Sequence, residues 1–384
     1  MSKLSELIAE LCPNGVEYKK LGEIVEINKG EQLNKQILLE SGNYPVINGG
    51  VNPSGYWDKY NKEANLITIS QGGASAGYVN WQRTRFWAGA HCFVLENPRD
   101  FILYRYLYFV VKKNESALMG SQIGAGIPSL SAKTVSDLPI PLPPLEIQRE
   151  VVEILDKFAQ LTAELTAELE KRKKQYEHYR DMLLNFTGGG RYDNISQNEP
   201  CPSVEWKRLG EICEMKRGRV ISKDYLRENE GIYPVYSSQT LNEGIFGYIS
   251  SYDFDGEYLT WTTDGANAGA IFYHNGKFSI TNVCGLLKPK YDAVAIKYLF
   301  YWLQKEARKH VSSGMGNPKL MSNTVASISI PLPPLAEQER IVAILDRFDS
   351  LCNSLAEGLP AEIALRKKQY EYYRDKLLDF EKAG

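Results

Sequence analysis

Ile140-Pro141-Leu142-Pro143-Pro144-Leu145 returns 190 positions later as Ile330-Pro331-Leu332-Pro333-Pro334-Leu335. Ile154-Leu155-Asp156-Lys157-Phe158 returns at the same offset as Ile344-Leu345-Asp346-Arg347-Phe348. Arg172-Lys173-Lys174-Gln175-Tyr176-Glu177 returns as Arg366-Lys367-Lys368-Gln369-Tyr370-Glu371, now 194 positions on. The correspondence extends outward into both halves. Val16-Glu17-Tyr18-Lys19-Lys20-Leu21-Gly22-Glu23-Ile24 matches Val204-Glu205-Trp206-Lys207-Arg208-Leu209-Gly210-Glu211-Ile212, and Tyr44-Pro45-Val46 matches Tyr233-Pro234-Val235. Gly30 matches Gly218, and Gly124, Gly126, Pro128 and Leu130 match Gly314, Gly316, Pro318 and Leu320. Ordered matches at a nearly constant offset make the chain a duplication. The copies agree most closely after each proline-rich run and least in the parts before it. The helical segments have therefore kept one job while the globular parts have diverged.

Each globular part shows short strand-like runs, such as Leu66-Ile67-Thr68-Ile69, Cys92-Phe93-Val94-Leu95, Tyr258-Leu259-Thr260-Trp261-Thr262 and Ala270-Ile271-Phe272-Tyr273. Gly, Asn and Ser clusters punctuate them as turns require. One aromatic helix per half is expected, from Phe101 to Val111 and from Ala295 to Leu303. Pro143-Pro144 and Pro333-Pro334 cannot lie inside a helix, so they are read as hinges that set where the next helix begins. Beyond them, Ile147, Val151, Ile154, Phe158, Leu161 and Leu165 alternate four- and three-residue steps, the seam of helix-on-helix packing. From Glu146 to Leu184 such a helix runs roughly 58 Å at about 1.5 Å per residue. The second copy repeats the seam at Ile341, Ile344, Phe348, Leu351 and Leu355, then meets Gly358 and Pro360, where a break is expected. A long helix with one apolar stripe must bury it, and the available partner is its duplicate, packed antiparallel. The fold class is α+β, with two mixed α/β domains separated by two long antiparallel helices in a coiled coil and a pseudo-two-fold duplication. The expected segments are 1–145, 146–186 (helical), 187–335 and 336–380 (helical).

Composition bounds the function. The chain has 384 residues, 43% hydrophobic and 24% charged, without an apolar run long enough to span a membrane. Its first residues do not resemble a signal peptide, and six scattered cysteines form no CxxC pair or disulfide framework. A reducing cytoplasm is the natural expectation. A net charge of −2 argues mildly against nucleic-acid binding for the whole chain, but not for a local basic patch. Phosphate-binding, dinucleotide-binding and zinc-protease motifs are absent, and the four histidines are far apart. The Asn/Asp-Pro-Pro-aromatic motif of amino-methyltransferases is also missing. No catalytic residue, metal ligand or cofactor is expected on this chain.

The positive signal is a set of small-residue loops carrying Arg, Lys, Asn and Gln. These side chains form bidentate contacts with guanine and adenine edges, while small neighbours admit phosphate to the backbone. In the first half the candidates are Lys29, Gln32, Asn34, Lys35, Gln71, Arg83, Arg85 and Gln122. In the second they are Lys216, Arg217, Arg219, Gln239, Thr263, Asn267, Asn317 and Lys319. A solvated turn is the competing explanation for any one of them. On the helices, the basic runs at 171–174 and 366–368 read as solvated faces or a partner surface. The tyrosines Tyr176/Tyr179 and Tyr370/Tyr373 sit at seam spacing and are expected to pack rather than to stack on bases.

The duplicated layout, the Pro-Leu-Pro-Pro-Leu run before a helix, and Ile-Leu-Asp-Lys/Arg-Phe together resemble the specificity subunits of type I restriction-modification systems. Thr162-Ala163-Glu164-Leu165 followed by Thr166-Ala167-Glu168-Leu169, then Arg-Lys-Lys-Gln-Tyr, is similar to the IC group. The resemblance covers essentially the whole chain. It implies a non-catalytic DNA-binding subunit whose two target-recognition domains each read half of a split, asymmetric site in double-stranded DNA. It also implies helices that act as a ruler and dock two methyltransferase subunits, with Ile154, Phe158, Leu165, Leu169, Arg172, Tyr176, Ile344, Phe348, Arg366 and Tyr370 as the candidate spacer and docking residues. The methyltransferase subunits would carry S-adenosylmethionine and methylate adenine, and two restriction subunits would supply ATP-driven translocation and cleavage. The alternative is a duplicated adaptor that does not act on DNA. On the ruler reading, one added or deleted Thr-Ala-Glu-Leu unit moves a head by roughly 6 Å and about 40°. Methylome sequencing of such a variant is expected to show a changed spacer between unchanged half-sites; altered half-sites would contradict the ruler.

Overall fold

The computed structural model describes residues 3–121, 128–186, 204–312, 316–354 and 358–384. The chain forms two compact units, Met1–Thr166 with Glu362–Gly384, and Ala167–Ala361. The unbroken helix Leu145–Leu183 contributes its first half to one unit and its second half to the other.

The first unit holds a four-stranded sheet ordered Glu26–Lys29, Cys92–Glu96, Leu66–Ser70, Val79–Gln82. Beside it lies a three-stranded sheet of Tyr56–Trp57, Tyr44–Ile47 and Trp87–Ala88, whose last pair is parallel. The second unit uses the same order in one six-stranded sheet, because Phe254–Thr262 and Ile271–Ile280 run as long continuous strands. Their counterparts in the first unit are interrupted. Arg83-Thr84-Arg85-Phe86 separates Val79–Gln82 from Trp87–Ala88, so these arginines sit at a strand break. The mixed sheets agree with the expected fold class, and the aromatic helices form at Tyr104–Lys113 and Ile296–Glu306.

The proline-rich runs are more ordered than free hinges. Pro139–Leu142 pairs antiparallel with Glu17–Lys20, and Ser329–Leu332 with Glu205–Arg208. A two-stranded ladder tolerates proline because its outer side needs no N–H donor. The carbonyls inside the runs are held too. Tyr106 Oη donates to Pro141 O at 3.2 Å, and Tyr298 Oη to Pro331 O at 2.7 Å.

Four residues after each Pro-Pro, a glutamine is fully buried. Gln148 Oε1 accepts from Leu103 N–H at 2.8 Å, and its Nε2 donates to Phe101 O at 3.0 Å and Pro143 O at 2.8 Å. Gln338 does the same with Ala295 N–H at 3.0 Å, Ala293 O at 3.1 Å and Pro333 O at 2.9 Å. Two turns on, Asp156 accepts from Arg105 at 2.6 Å, and Asp346 from Lys297 at 2.7 Å and Tyr301 Oη at 2.6 Å. The long helix is thus pinned along the aromatic helix of its own unit.

That pinning shifts the apolar face. Ile147, Val151 and Leu155 are fully buried, in steps of four, while Ile154 is half-buried. Leu161 is 47% exposed and Leu351 38%, against the expected seam, and Leu355 lies outside the described residues. The physical reason is that the first turns pack on the globular body as well as on another helix, so a single heptad stripe cannot serve both. Antiparallel helix pairing does occur within each unit. Phe158 stacks on Tyr373 at 5.2 Å, and Leu377, Leu378 and Phe380 join the core that holds Ile147 and Val151. In the second unit Tyr179 stacks on Phe348 at 5.4 Å, with Tyr176 at 6.4 Å. Lys113 Nζ donates to Leu378 O at 3.1 Å, and Lys305 Nζ to Leu184 O at 3.2 Å. The helix Leu335–Asn353 ends before Gly358, and Leu359–Leu377 begins there, as expected.

Replacing Gln148 with Leu keeps the volume but strands one buried N–H and two carbonyls. We expect a loss of about 2–4 kcal/mol in denaturant unfolding of the first unit's transition. A loss under about 0.5 kcal/mol, the size of a surface substitution, would contradict the anchoring role.

Candidate nucleic-acid interface

In each unit several loops meet at one end of the sheets, and backbone hydrogen bonds hold them. In the first, Gly30 N–H donates to Cys92 O at 3.0 Å, Gln71 N–H to His91 O at 2.8 Å, Leu130 N–H to Gln71 O at 2.7 Å and Gly73 N–H to Pro128 O at 2.9 Å. His91 N–H also donates to Asn48 Oδ1 at 2.9 Å. In the second, Gly218 N–H donates to Cys284 O at 3.2 Å, Thr263 N–H to Val283 O at 3.0 Å, Leu320 N–H to Thr263 O at 2.8 Å and Gly265 N–H to Pro318 O at 3.0 Å. The two clusters therefore share one backbone frame. Glycine is required where the chains cross: a Cβ on Gly30 would lie 2.3 Å from the Ala88 and Gly89 carbonyl oxygens, and one on Gly218 would lie 2.3 Å from those of Ile280 and Thr281. The side chains on the frame differ, with Gln71 against Thr263, His91 against Val283 and Lys29 against Arg217.

The frame brings most of the expected residues together. Lys29 is exposed, its ammonium 5.9 Å from the Phe93 ring centre. Gln32 donates to Leu33 O at 3.3 Å, and Asn34 caps a short 3-10 turn containing Lys35, accepting from Gln36 N–H at 3.0 Å. In the second unit Lys216 is exposed on its strand, and Arg217 donates to Asn282 O at 2.7 Å. Arg219 pairs with Asp253 at 2.9 Å and lies 5.0 Å over the Tyr225 ring. Gln239 donates to Ile245 O, and Asn267 to Ser238 O at 3.1 Å. Asn317 and Lys319 are exposed, with Lys319 at 4.0 Å from Asp264.

Several residues depart from that picture. Thr263 is fully buried and donates to Asp264, so it supports the frame and presents no side chain to a ligand. Arg83 and Arg85 sit at the strand break, away from the crossing loops, with Arg85 paired to Glu63 at 2.8 Å. Gln122 lies outside the described residues. The Asn48 side chain and the Asn282 carbonyl also tie into the frame, and neither residue was among the expected contacts. The helical candidates mostly pack internally. Leu169 and Tyr176 are buried, and Leu165 and Ile344 are half-buried. Arg172 pairs with Glu168 at 2.7 Å, Arg366 bonds Gln369 at 3.1 Å, and burial pushes the Tyr370 phenol up to about 12.

Burial raises the Cys92, Cys213 and Cys284 thiols to about 12 and lowers the His274 imidazole to about 4, leaving all four neutral at physiological pH. His274 shares a 2.8 Å hydrogen bond with Thr260 and stacks on Tyr236, a core position. No group of His, Cys, Asp and Glu able to hold a metal exists among the described residues, and no described helix is long and apolar enough to cross a membrane.

Because Gly218 meets rigid carbonyls, Gly218→Ala should force the crossing strands apart. We expect about 1–3 kcal/mol of destabilisation in the second unit's unfolding transition, with none in the first unit's transition. An unchanged second transition would contradict the frame.

The family profile described as "Type I restriction modification DNA specificity domain" matches residues 13–172 and again 203–365. A type I restriction enzyme specificity subunit of Haemophilus influenzae is 32% identical over 390 residues, covering 95% of this chain and 96% of its own length. A type I specificity subunit of Mycoplasma pneumoniae is 44% identical over 258 residues, covering 66% of this chain and 91% of its own. The crystal structure of a type I restriction-modification S subunit from M. genitalium superposes with a TM-score of 0.62 at 20% identity, over 95% of this chain and 96% of that one, which supports the fold. The chain belongs to the type I restriction-modification DNA specificity family and carries two copies of its specificity domain.

Proposed function

We propose that each unit reads one half of a bipartite, asymmetric site in double-stranded DNA, and that the helices serve as ruler and docking surface for two methyltransferase subunits. Two restriction subunits would complete the nuclease. S-adenosylmethionine and ATP belong, on this reading, to those subunits, with adenine as the methylated base and the cytoplasm as the compartment. One observation carries the proposal: two loop frames built from the same backbone bonds bear different polar side chains. A shared scaffold with unlike contact groups is what two readers of different sequences need. A duplicated adaptor without DNA is disfavoured by the family assignment and by exposed cations gathered on both frames.

The test changes one frame only. Cells carrying the chain with its methyltransferase subunits are compared with cells carrying a Lys216→Ala, Arg217→Ala, Asn317→Ala variant, using single-molecule sequencing of adenine methylation. The expected result is a relaxed or altered half-site on one side, with the other half-site and the spacer unchanged. Changes in both half-sites, or methylation of the original motif at the original efficiency, would overturn the one-unit, one-half-site assignment.

A further inference from the structure

Away from the loop frames, both units repeat a second exposed arrangement. In the first, Tyr44 and Tyr60 have ring centres 4.9 Å apart, and Arg85 lies 4.7 Å over Tyr60. In the second, Tyr233 and Tyr252 are 5.0 Å apart, and Lys277 lies 4.6 Å over Tyr252. Strand register makes these residues equivalent. Tyr44 pairs with Trp57 and Tyr233 with Ile249, which places Tyr60 and Tyr252 at the same step beyond each partner. Val46 pairs with Trp87 and Val235 with Ser279, which does the same for Arg85 and Lys277. A carboxylate stands beside each cation: Glu63 at 2.8 Å from Arg85, and Asp255 directly across the ladder from Lys277. Tyr60 is 37% exposed and Tyr252 41%. The Arg85–Glu63 pair is solvent-exposed on both sides, so its net strength is small and its partner exchangeable.

Two facts separate this trio from the base-reading loops. First, it is common to both units although the residues on their loop frames differ. Groups that two readers of different sequences share cannot tell those sequences apart; they suit what every duplex offers, the phosphate backbone. Second, the trio and the loop frame lie at opposite ends of the same parallel strand pair. Tyr44 to Asn48 and Arg85 to Gly89 are each four residues, as are Tyr233 to Ser237 and Lys277 to Thr281. At about 3.3 Å per residue that is about 13 Å, close to four base-pair rises of about 3.4 Å.

Resting on the DNA-reading proposal above, we propose that Arg85 with Tyr60, and Lys277 with Tyr252, are sequence-independent phosphate contacts flanking each half-site by about four base pairs. Each tyrosine ring holds its cation outward while the hydroxyl offers a second donor, and the neighbouring carboxylate yields to the phosphate.

The test measures binding of the full chain with its methyltransferase subunits to a duplex carrying the motif found by methylome sequencing, over a range of salt. For an Arg85→Ala, Lys277→Ala double variant, the slope of log K against log salt should fall by about 2, or about 0.9 for each phosphate lost. Affinity should fall by a similar factor on motif and non-motif duplexes, with the methylated motif unchanged. Arg85→Lys and Lys277→Arg should keep the slope. Neutral methylphosphonates placed about four base pairs outside each half-site should weaken the unsubstituted complex and leave the double variant unaffected. An unchanged slope, a changed half-site, or methylphosphonate sensitivity retained in the variant would each overturn the inference. Lower melting temperature with an intact slope would do the same, marking the trio as a hairpin brace. A complex that shows no salt-dependent duplex binding even without substitution would instead defeat the DNA-reading proposal itself.

Discussion

The anchoring of each long helix by a buried glutamine is the constraint on which the rest of the architecture depends. Gln148 and Gln338 each satisfy a free N–H before an aromatic helix, a carbonyl in the preceding turn, and a carbonyl of the Pro-Pro pair. An unmet buried amide or carbonyl costs roughly 1–3 kcal/mol, so the helix has one axial position and one rotation at which it can start. Pro144 and Pro334 accept the first N–H groups of that turn. The aspartates of the repeated Ile-Leu-Asp motif then add a second tie, to Arg105 in one unit and to Lys297 and Tyr301 in the other. Each helix is thereby held at two points along its first turns.

This explains why the helical motifs stayed alike while the globular parts drifted. Several residues repeated between the copies have a matching contact. Leu155 and Leu345 are fully buried, Phe158 and Phe348 each meet a tyrosine of an antiparallel helix, and Lys113 and Lys305 each cap a helix C-terminus. Lysine at such an end satisfies free carbonyls and opposes the helix dipole. Side chains on the loop frames are less uniform: Arg217 donates to Asn282 O, whereas Lys29 lies near the Phe93 ring. The backbone frame needs Gly30 and Gly218 where strands cross, but leaves the flanking positions free to carry Lys29 or Arg217.

Duplication, fold class, helix start and break, and the aromatic helices were legible in the chain, because each rests on local chemistry. Repeats survive in linear order, proline cannot occupy a helix interior, and a packed aromatic stripe has helical spacing. The seam was only partly legible. Leu161 and Leu351 fit the heptad yet face solvent, since a helix lying against both a body and another helix divides its apolar residues between two directions. Thr263 has the composition of a contact loop but sits fully buried, and Arg85 reads as a loop residue but stands where a long strand is interrupted. Arg85 and Lys277, like Tyr60 and Tyr252, lie 192 positions apart, as Gly77 and Gly269 do, and strand register shows that each pair occupies the same place in its sheet.

The sequence by itself determined that two diverged bodies share one kind of helical spacer, because periodicity, proline placement and repetition are properties of neighbouring residues. Tertiary structure decided which residues gather into a common frame, which cations keep carboxylate partners and which apolar side chains are left in water. Those outcomes depend on hydrogen bonds between segments tens to hundreds of residues apart, such as Tyr18 Oη to Phe380 O at 2.7 Å, and no local pattern encodes such a pairing.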